Sequence, residues 1–595
     1  FHPTLAAQPP APFAGEPFTL TAAELQHASA DIPPTKDNPA EILYEEGTYR
    51  IAPDGSMKYR HRLIYRVDAE SAVQGWSEIR SEYDPWFENQ AQLHARVLET
   101  NGSFVELDQK TVTDAPVKGD DSETFSSQHL RRAPLPGMSV GAIVEETESV
   151  DERIPYFSGG NLYRFSFRDN VPIGRSRLIV ELPSAMPYKD DIQQLPGLSV
   201  TKTETAGTRR IVYEATNLPA DHDSDINLDT NTPTTPIVEF ATGASWGAIA
   251  NAYSELADPQ AVTADAEPIL PPDLPADRMA RIRAIVKQLH HQVRYTGVEF
   301  GAARLTPQRP SEVIQRHYGD CKDKANLLVT MLRAAGIQAH LALLSTGPGS
   351  DVDAAMPGIN RFDHAIVYLP ATGKGQDAMW IDATAEFFAV GTLPYEDQGR
   401  NALVISPTTT QLTRTPDPRP EDSILIENRT FKLAEFGPSH VEEISETHGT
   451  VDAVYRGDYG GPETPQIHEN MENYVKNAYL AKSLTSLGHG DAADFDHPFN
   501  LTLVADQAKR GLTSLVDGIV VIFPSGTTNG LPKWFSTTPP VPGPDMSADT
   551  RHDLELAQKS RPPTFAVRPY IYEQRARILI PAGFSLRSLP PSKTT

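Results

Sequence analysis

The sequence contains little cysteine and no long apolar segment. Its 595 residues include one cysteine, Cys321, so an internal disulfide bond is excluded. No stretch approaches the roughly 18 consecutive apolar residues that a membrane-spanning helix needs. The length predicts roughly three to four domains, and each must be held together by burial of its own apolar side chains.

Positive charge is also scarce. The chain carries 53 lysine and arginine residues against 78 aspartate and glutamate residues, which gives a net charge of −25. Because phosphate groups bind to basic surfaces, this composition argues against nucleic acid or an anionic membrane as a partner. It leaves the oligomeric state open.

The first 40 residues are rich in proline and alanine and carry no strand pattern. Such a composition is typical of the lead-in segment of an exported protein, and the start at Phe1 is compatible with a removed leader. Residues 41–235 instead show short alternating segments separated by turn signals such as Asn101-Gly102. This pattern predicts an N-terminal β-sandwich domain.

The segment Met57–Val67 illustrates the alternation. Apolar residues and His61 occupy one side, whereas Arg60, Arg62 and Arg66 occupy the other. We therefore expect a half-buried strand, with the arginines in solvent and His61 as an ordinary core histidine.

From residue 243 the apolar period becomes helical, with predicted helices at Trp246–Leu256 and about 277–291. This change marks a central domain at 243–405, followed by a proline-rich linker at Thr413–Pro420. A β-rich C-terminal domain is predicted at 421–595, and the abrupt end at Thr595 is compatible with a continuation. In this domain the patterns predict a strand over Val441–Arg456, a helix over Pro465–Leu484 and further strands over Ile424–Leu433, Phe499–Ala505, Gly518–Phe523 and Tyr570–Ile580.

Cys321 lies at the start of a predicted helix. Apolar residues recur at helical spacing after it, Asp320 is a good N-cap residue, and Gly336 marks the end. The first turn directs unpaired N–H groups toward the sulfur, which favours the nucleophilic thiolate. The carboxylate of Asp320 opposes this effect, so a histidine partner is still required.

Two later segments supply the partners. His364 opens an apolar strand, and Asp382 ends a short one that contains Trp380. A cysteine, a histidine that takes its proton and an aspartate that orients the ring form a catalytic triad. We therefore predict Cys321, His364 and Asp382 as the catalytic residues. His317 is an alternative base, although its position predicts a helix-end residue.

These segments resemble bacterial transglutaminase-like domains that follow a DUF3857 domain. The likeness extends over about residues 40–405 and is carried by Tyr318–Ala325, Phe362–Ala365, Trp380–Thr384, Val293–Phe300, Tyr44–Tyr49 and Tyr65–Val67. It implies an α+β multidomain protein with an N-terminal β-sandwich, a central papain-like and transglutaminase-like core, and a β-rich C-terminal domain. It also implies the Cys321, His364 and Asp382 triad and an extracytoplasmic bacterial location.

The resulting hypothesis is a cysteine enzyme that transfers acyl groups from peptide or glutamine-type amides and needs no cofactor or metal. Its partner is a protein or peptide substrate. The alternative is a non-catalytic extracytoplasmic interaction or assembly protein, whose β domains bind partners. Labelling of Cys321 with an iodoacetamide-type reagent distinguishes the two, since only an activated thiolate reacts fast.

Three further expectations concern the surroundings of the site, and a fourth concerns an acidic segment. Tyr295 and Gln308 are candidate oxyanion donors. The loop Ser345–Asn360 is expected to be a mobile lid. Because aromatic residues near the triad are few and charged residues many, we expect hydrolysis to exceed crosslinking. The acidic run at 221–229 lacks the glycine and glutamate of a calcium-binding loop, so we predict a solvated loop there.

Overall fold

The computed structural model describes residues 13, 15–32, 34, 38–117, 124–220, 235–347, 351–373, 377–522, 568–589 and 591. The chain divides into two compact units. The first comprises Phe1–Pro370 and Asn401–Arg414, and the second comprises Ala371–Arg400 and Thr415–Thr595. Within the described residues, every helix is too short or too polar to cross a membrane.

The first unit is mixed α and β. Its strands are Ala40–Ile51, Met57–Val67, Glu78–Tyr83, Gln92–Leu98, Phe104–Glu106, Thr113–Pro116, Thr124–Ser126, His129–Pro134, Ile143–Asp151, Leu162–Ser166, Ile173–Pro183, Lys189–Gln193, Ser199–Thr205, Thr208–Leu218, Ile237–Ala241, Arg294–Tyr295, Gly297–Glu299, Tyr318–Gly319, His340–Leu344, His364–Leu369, Asn401–Val404 and Thr413–Arg414. Its α-helices are Ala22–Ala30, Glu70–Gly75, Trp246–Ala257, Thr263–Ala266, Arg278–Gln292, Pro310–Arg316 and Cys321–Ala334.

An eight-stranded sheet organises the N-terminal part of this unit. Its central strand, Ala40–Ile51, pairs antiparallel with Met57–Val67 and parallel with Ile173–Pro183. One of its core clusters joins it to a three-stranded sheet through alternating apolar residues such as Val180, Tyr213 and Phe240. The predicted β-rich region is therefore confirmed, and its strands supply two faces with buried side chains.

The expectation of a half-buried strand at Met57–Val67 is wrong. Arg62 is 1% exposed and Arg66 is 8% exposed, because the segment before residue 40 covers the face that the alternation assigned to solvent. Arg62 donates to the backbone oxygens of Phe13 and Gly15 and pairs with the buried Glu145 at 2.5 Å. The lead-in segment also forms the helix Ala22–Ala30, which packs onto the sheet.

The central part of the first unit packs helices against an antiparallel sheet. His340–Leu344 lies between His364–Leu369 and Asn401–Val404. The helix Cys321–Ala334, which we call the cysteine helix, packs against the strand His364–Leu369. The helix is buried over most of its length, including Leu328 and Leu332. This packing fixes the starts of the helix and the strand within one body.

The second unit contains the C-terminal strands. Its strands are Met379–Ile381, Ser423–Lys432, Gly437–Gly449, Ser483–His489, Asn500–Thr513, Gly518–Val520 and Ile571–Leu579, and its α-helices are Thr450–Tyr459 and Pro465–Tyr479. The long strands form one sheet, and the helix Pro465–Tyr479 packs against it through Val475 and Tyr479.

Two predicted boundaries in the second unit are wrong. The strand predicted to run to Arg456 ends at Gly449, whose φ of 67° is readily adopted only by glycine, and a helix follows from Thr450. The helix predicted to run to Leu484 ends at Tyr479 because Leu480 adopts the left-handed conformation. In both cases one residue with a positive φ ends the element, although the sequence pattern continues beyond it.

Candidate active site

Cys321 is the first residue of the cysteine helix, as predicted from the sequence. Asp320 caps the helix, and its side chain accepts a hydrogen bond of 3.1 Å from the N–H of Asp323. The cysteine side chain is half-buried. Its sulfur therefore lies in the first turn, where helix N–H groups without helical partners stabilise negative charge.

The charged residues that follow Cys321 are mostly turned into the protein. Asp323, Lys324 and Lys322 are 1%, 2% and 6% exposed. Lys322 pairs with Asp320, Asp323 pairs with Arg316, and the Lys324 ammonium donates to the backbone oxygen of Val293. Burial, with the nearby charge of Asp320, raises the pKa of Asp323 to about 6. These contacts anchor the start of the cysteine helix, and Lys322 also lines the cavity described next.

Cys321 and His364 line one cavity of about 560 Å³. His364 is half-buried and is the first residue of its strand. The cysteine helix packs on that strand, so both residues stay fixed at the cavity wall. The cavity therefore contains a thiol and an imidazole, the two groups that nucleophilic catalysis by cysteine requires.

Aromatic residues of the N-terminal part form much of the cavity lining. The lining includes Tyr49, Tyr59, Tyr83, Phe87, Tyr156 and Tyr163, together with Tyr253 and Phe362 from the central part. Of the three aromatic residues near the predicted triad in the sequence, Tyr318, Phe362 and Trp380, only Phe362 lines the cavity. The Arg316 guanidinium lies 5.0 Å from the ring centre of Tyr318, and Trp380 is 5% exposed in its strand. The expectation of few aromatic residues around Cys321 is wrong, because most of them come from distant parts of the chain.

Tyr253 lines the same cavity and lies close enough to Cys321 for their charges to interact. It is 1% exposed, and its hydroxyl donates to the backbone oxygen of Leu305 at 3.0 Å. Burial raises the pKa of Tyr253, and negative charge on Cys321 adds to the shift. Tyr253 therefore remains a neutral hydrogen-bond donor beside the thiol.

Asp382 belongs to the second unit. It follows the strand Met379–Ile381, is 6% exposed, and accepts bonds of 2.8 Å from the N–H and the hydroxyl of Thr384. A carboxylate oxygen of the buried Asp397 lies within 4.8 Å of one of its own. The sequence did not single out Asp397. The pairing of Asp382 with His364 stays a prediction.

The other candidates lie away from the cavity lining. His317 ends the helix Pro310–Arg316 in the left-handed conformation, as its helix-end position predicted, and faces the backbone oxygen of Gln292 at 3.1 Å. The backbone N–H of Gln308 donates to Asp323 at 2.8 Å. Neither Gln308 nor Tyr295 lines the cavity, whereas the amides of Gln128 and Asn360 do. The acidic run at 221–229 lies outside the described residues.

Residues 351–360, the longer described part of the loop before His364, pack against the rest of the first unit. Met356 is 2% exposed and joins a cluster with Leu162. The indole N–H of Trp246 donates to the oxygen of Ala354 at 2.7 Å. A Cβ atom on Gly358 would lie 2.5 Å from the backbone nitrogen of Leu162, so the contact requires glycine. These packing contacts argue against a lid in this stretch, of which Ile359 and Asn360 line the cavity. The mobility of the loop stays a prediction.

Sequence inspection also missed Glu88 and Glu152, which line the same cavity. They face each other across an isolated antiparallel bridge. Burial raises the pKa of each carboxyl to about 7, and the charge of Glu88 adds to the effect at Glu152. Nothing in their local sequence distinguishes them from surface glutamates.

Comparisons with known proteins agree with the two domain types that the sequence resembles. The sequence profile of DUF3857, a domain of unknown function, matches residues 53–221, and that of the transglutaminase-like superfamily matches residues 272–383. A comparison with curated protein sequences finds no match.

A solved structure supports the fold. A candidate protease from Parabacteroides distasonis superposes with a TM-score of 0.54 at 13% identity, covering 79% of this chain and 94% of that one. A CBM3a-L domain of the cellulosome scaffoldin from Clostridium thermocellum matches at 16% identity, 20% and 69% coverage and a TM-score of 0.13. An M1 zinc metallopeptidase from Deinococcus radiodurans matches at 11% identity, 43% and 55% coverage and a TM-score of 0.18. The last two scores are too low to support a structural relationship. The chain thus contains a DUF3857 domain followed by a domain of the transglutaminase-like superfamily.

Proposed function

We propose that this protein is a cysteine acyl-transfer enzyme that cleaves peptide or glutamine-type amides through a thioester on Cys321. The observation that carries the proposal is the shared cavity, which a cysteine at a helix start and a histidine at a strand start both line. Its volume of about 560 Å³ is within the range of small-molecule and peptide sites.

The chemistry requires only groups of this chain. His364 takes the thiol proton, and the Cys321 sulfur adds to the amide carbonyl carbon. When the C–N bond breaks, His364 returns the proton to the leaving amine, and a thioester remains. Water then adds to the thioester carbonyl, its proton passes to His364, and breaking of the C–S bond releases the carboxylic acid and the thiol.

Asp382 completes the proposed triad. As a carboxylate it would orient the His364 ring and stabilise the imidazolium that forms during proton transfer. Its hydrogen bonds with Thr384 hold the carboxylate in one orientation. Asp397, the neighbouring buried carboxylate, is an alternative for the same role and can be tested separately.

We propose that hydrolysis exceeds transfer to an amine. The cavity lining includes ionisable and amide side chains such as Glu82, Gln128 and Asn360, which attract water to the thioester. The aromatic wall acts in the other direction, because apolar rings exclude water and favour an amine acceptor. A glutamine peptide with an excess of a primary amine tests the balance, since acid and amide products are quantified together. If the amide product predominates at millimolar amine, the proposed activity is that of a transferase and not of a hydrolase.

The first experiment measures the reactivity of Cys321 at neutral pH with iodoacetamide, in wild type and in His364→Ala. An activated thiolate reacts rapidly and loses this advantage in the variant. Slow labelling that is the same in the variant would contradict the proposal that the protein is an enzyme. It would favour the alternative of a non-catalytic interaction protein. Accumulation of a thioester on Cys321 during turnover, detected by mass spectrometry, would identify the natural substrate.

We also propose an extracytoplasmic location. It is supported by the resemblance of the sequence to bacterial exported proteins with this domain order. Fractionation of the native host with an antibody to this chain tests the location. Recovery of the protein only with cytosolic markers would contradict it.

A further inference from the structure

The cavity around Cys321 has an uneven distribution of charge. Its charged lining residues are the acidic Glu82, Glu88, Glu152 and Asp363 and the basic Arg304 and Lys322. Arg304 is paired with Asp84 at 3.2 Å, and Lys322 is paired with Asp320. Neither of these aspartates lines the cavity. The basic groups are thus already neutralised, and the carboxylates determine the charge that a ligand encounters.

Glu88 and Glu152 are oriented among these carboxylates by hydrogen bonds from the backbone. One oxygen of Glu88 accepts the N–H of Asp84 at 2.6 Å, and one oxygen of Glu152 accepts the N–H of Met57 at 2.9 Å. The antiparallel bridge between the two residues places them directly opposite each other. In the described part of the chain, no lysine or arginine forms an ion pair with either carboxylate.

This arrangement is costly without a ligand. Burial raises the pKa of both carboxyls to about 7. The N–H of Asp84 and the charges of Arg304 and Arg153 act against the shift at Glu88, and the Arg153 guanidinium donates to the backbone oxygen of Glu88. A cation placed between the two carboxylates would offset the burial and the repulsion together. The cavity therefore provides a site where positive charge is favoured.

The aromatic wall matches the same ligand. The rings of Phe87 and Tyr156 lie 5.2 Å apart in the same part of the chain, and Tyr83 lines the cavity beside them. Aromatic faces attract ammonium and guanidinium groups and also pack against the alkyl chain that carries them. A neutral or acidic side chain would gain less from this wall and would leave the carboxylates unpaired.

We propose that the N-terminal β-rich part selects the substrate of Cys321, with Glu88 and Glu152 binding a cationic side chain of the lysine or arginine type near the amide that is attacked. This inference rests on the proposed function, because it assigns a substrate class to the same cavity. Glu88 and Glu152 are specificity residues and take no part in bond formation. The DUF3857 domain thereby acquires a role as the substrate-recognition part of the enzyme.

The test uses peptide vinyl sulfones, which form a C–S bond with the Cys321 thiolate and take up a proton. Three probes differ only in the side chain next to the reactive group: lysine, arginine or the neutral norleucine. In wild type we expect the preferred cationic probe to label Cys321 about tenfold faster than norleucine, as a charge-assisted hydrogen bond allows. The lysine and arginine arms distinguish ammonium from guanidinium recognition.

The double variant Glu88→Gln with Glu152→Gln should bring the ratio of cationic to norleucine labelling close to one. Glu204→Gln, a change on an exposed strand of the same region, should keep the wild-type ratio. Increasing ionic strength should reduce the wild-type ratio, because salt screens the attraction. This measurement needs no variant and so does not depend on the folding of the double substitution.

Equal labelling by all probes in wild type, or an unchanged ratio in the double variant, would overturn the inference. Iodoacetamide carries no peptide side chain and separates the two proposals. Fast iodoacetamide labelling with equal probe rates contradicts only the substrate class. Slow iodoacetamide labelling that His364→Ala leaves unchanged contradicts the proposed enzymatic function. In that case the ratio of probe labelling rates is measured at pH 9, where ordinary thiols ionise, and still tests recognition of the cationic side chain.

Discussion

Two cavities of the first unit differ in what their charged groups do. The larger, of about 800 Å³, lies in the N-terminal β-rich part and is lined by His61, Glu146 and Glu148. The His61 ring lies 3.2 Å from Glu45 and 3.6 Å from Glu148. Burial lowers the pKa of His61, but Glu148 and Glu45 outweigh it and raise the pKa to about 10. At neutral pH this ring is a charged partner in an ion pair and cannot accept a proton.

The smaller cavity differs in the chemical groups that line it. Its thiol and imidazole are placed at the starts of a helix and a strand, and two of its carboxylates have no cationic partner among the described residues. The comparison teaches that volume does not identify the reactive site. Unsatisfied groups do not identify it either, because among the described residues Glu146 of the larger cavity has a buried carboxylate oxygen without a hydrogen-bond partner. What separates the smaller cavity is a thiol and an imidazole in one lining, the pair that a nucleophilic reaction needs.

The sharpest test of this contrast is Cys321→Ala beside His61→Gln. We expect the first variant to retain at most a few per cent of the wild-type amidase activity, because the proposed nucleophile is lost. The second should keep the wild-type rate. Thermal unfolding serves as the control for folding, since exchanging a thiol for a methyl group at a helix start costs little stability. If Cys321→Ala retains activity, the smaller cavity is not the active site.

The next largest effect is expected at the histidines. His364→Ala should slow alkylation of Cys321 at pH 7 about tenfold or more, because the base that removes the thiol proton is gone. His317→Ala should have little effect, since this residue ends a helix away from the cavity lining. A larger effect at His317 would show that the triad assignment is wrong.

A smaller effect is expected from the aspartates of the second unit. Asp382→Asn should lower kcat by about tenfold and leave KM nearly unchanged, since orientation of the ring affects bond formation more than binding. Asp397→Asn should have a weaker effect. If Asp397→Asn lowers kcat more than Asp382→Asn does, Asp397 is the orienting residue.

The smallest effect concerns stability. The pKa of Glu152 is about 7 in the folded protein and about 4.5 in an ordinary glutamate, so unfolding releases a proton between these pH values. Stability from this group therefore falls as the pH rises from 4.5 to 7. Glu152→Gln removes the effect and should raise the melting temperature relative to wild type by about 1–2 °C at pH 8 and by less at pH 4.5. A Glu204→Gln control should show no such pH dependence, and an equal shift at both pH values would contradict the burial of Glu152.

The sequence alone determined the cysteine helix and the strand of His364. Helical spacing, the cap at Asp320 and the glycine at 336 are local signals, and the structure has the helix over Cys321–Ala334. The same holds for the strand that begins at His364, because an apolar run after a loop needs no distant partner to be recognised. Local backbone preferences act within a few residues and can therefore be inferred from a short segment.

Only the tertiary structure decided what surrounds these two residues. Arg62 is buried because a segment far earlier in the chain covers its face of the sheet. The cavity wall of tyrosines and the pair Glu88 and Glu152 come from strands and loops that precede Cys321 by much of the first unit. No period or motif marks these residues, since the burial of a side chain depends on which other element folds against it. The position of Cys321 at a helix start was thus predictable from local sequence, whereas the cavity lining around it was set by long-range packing.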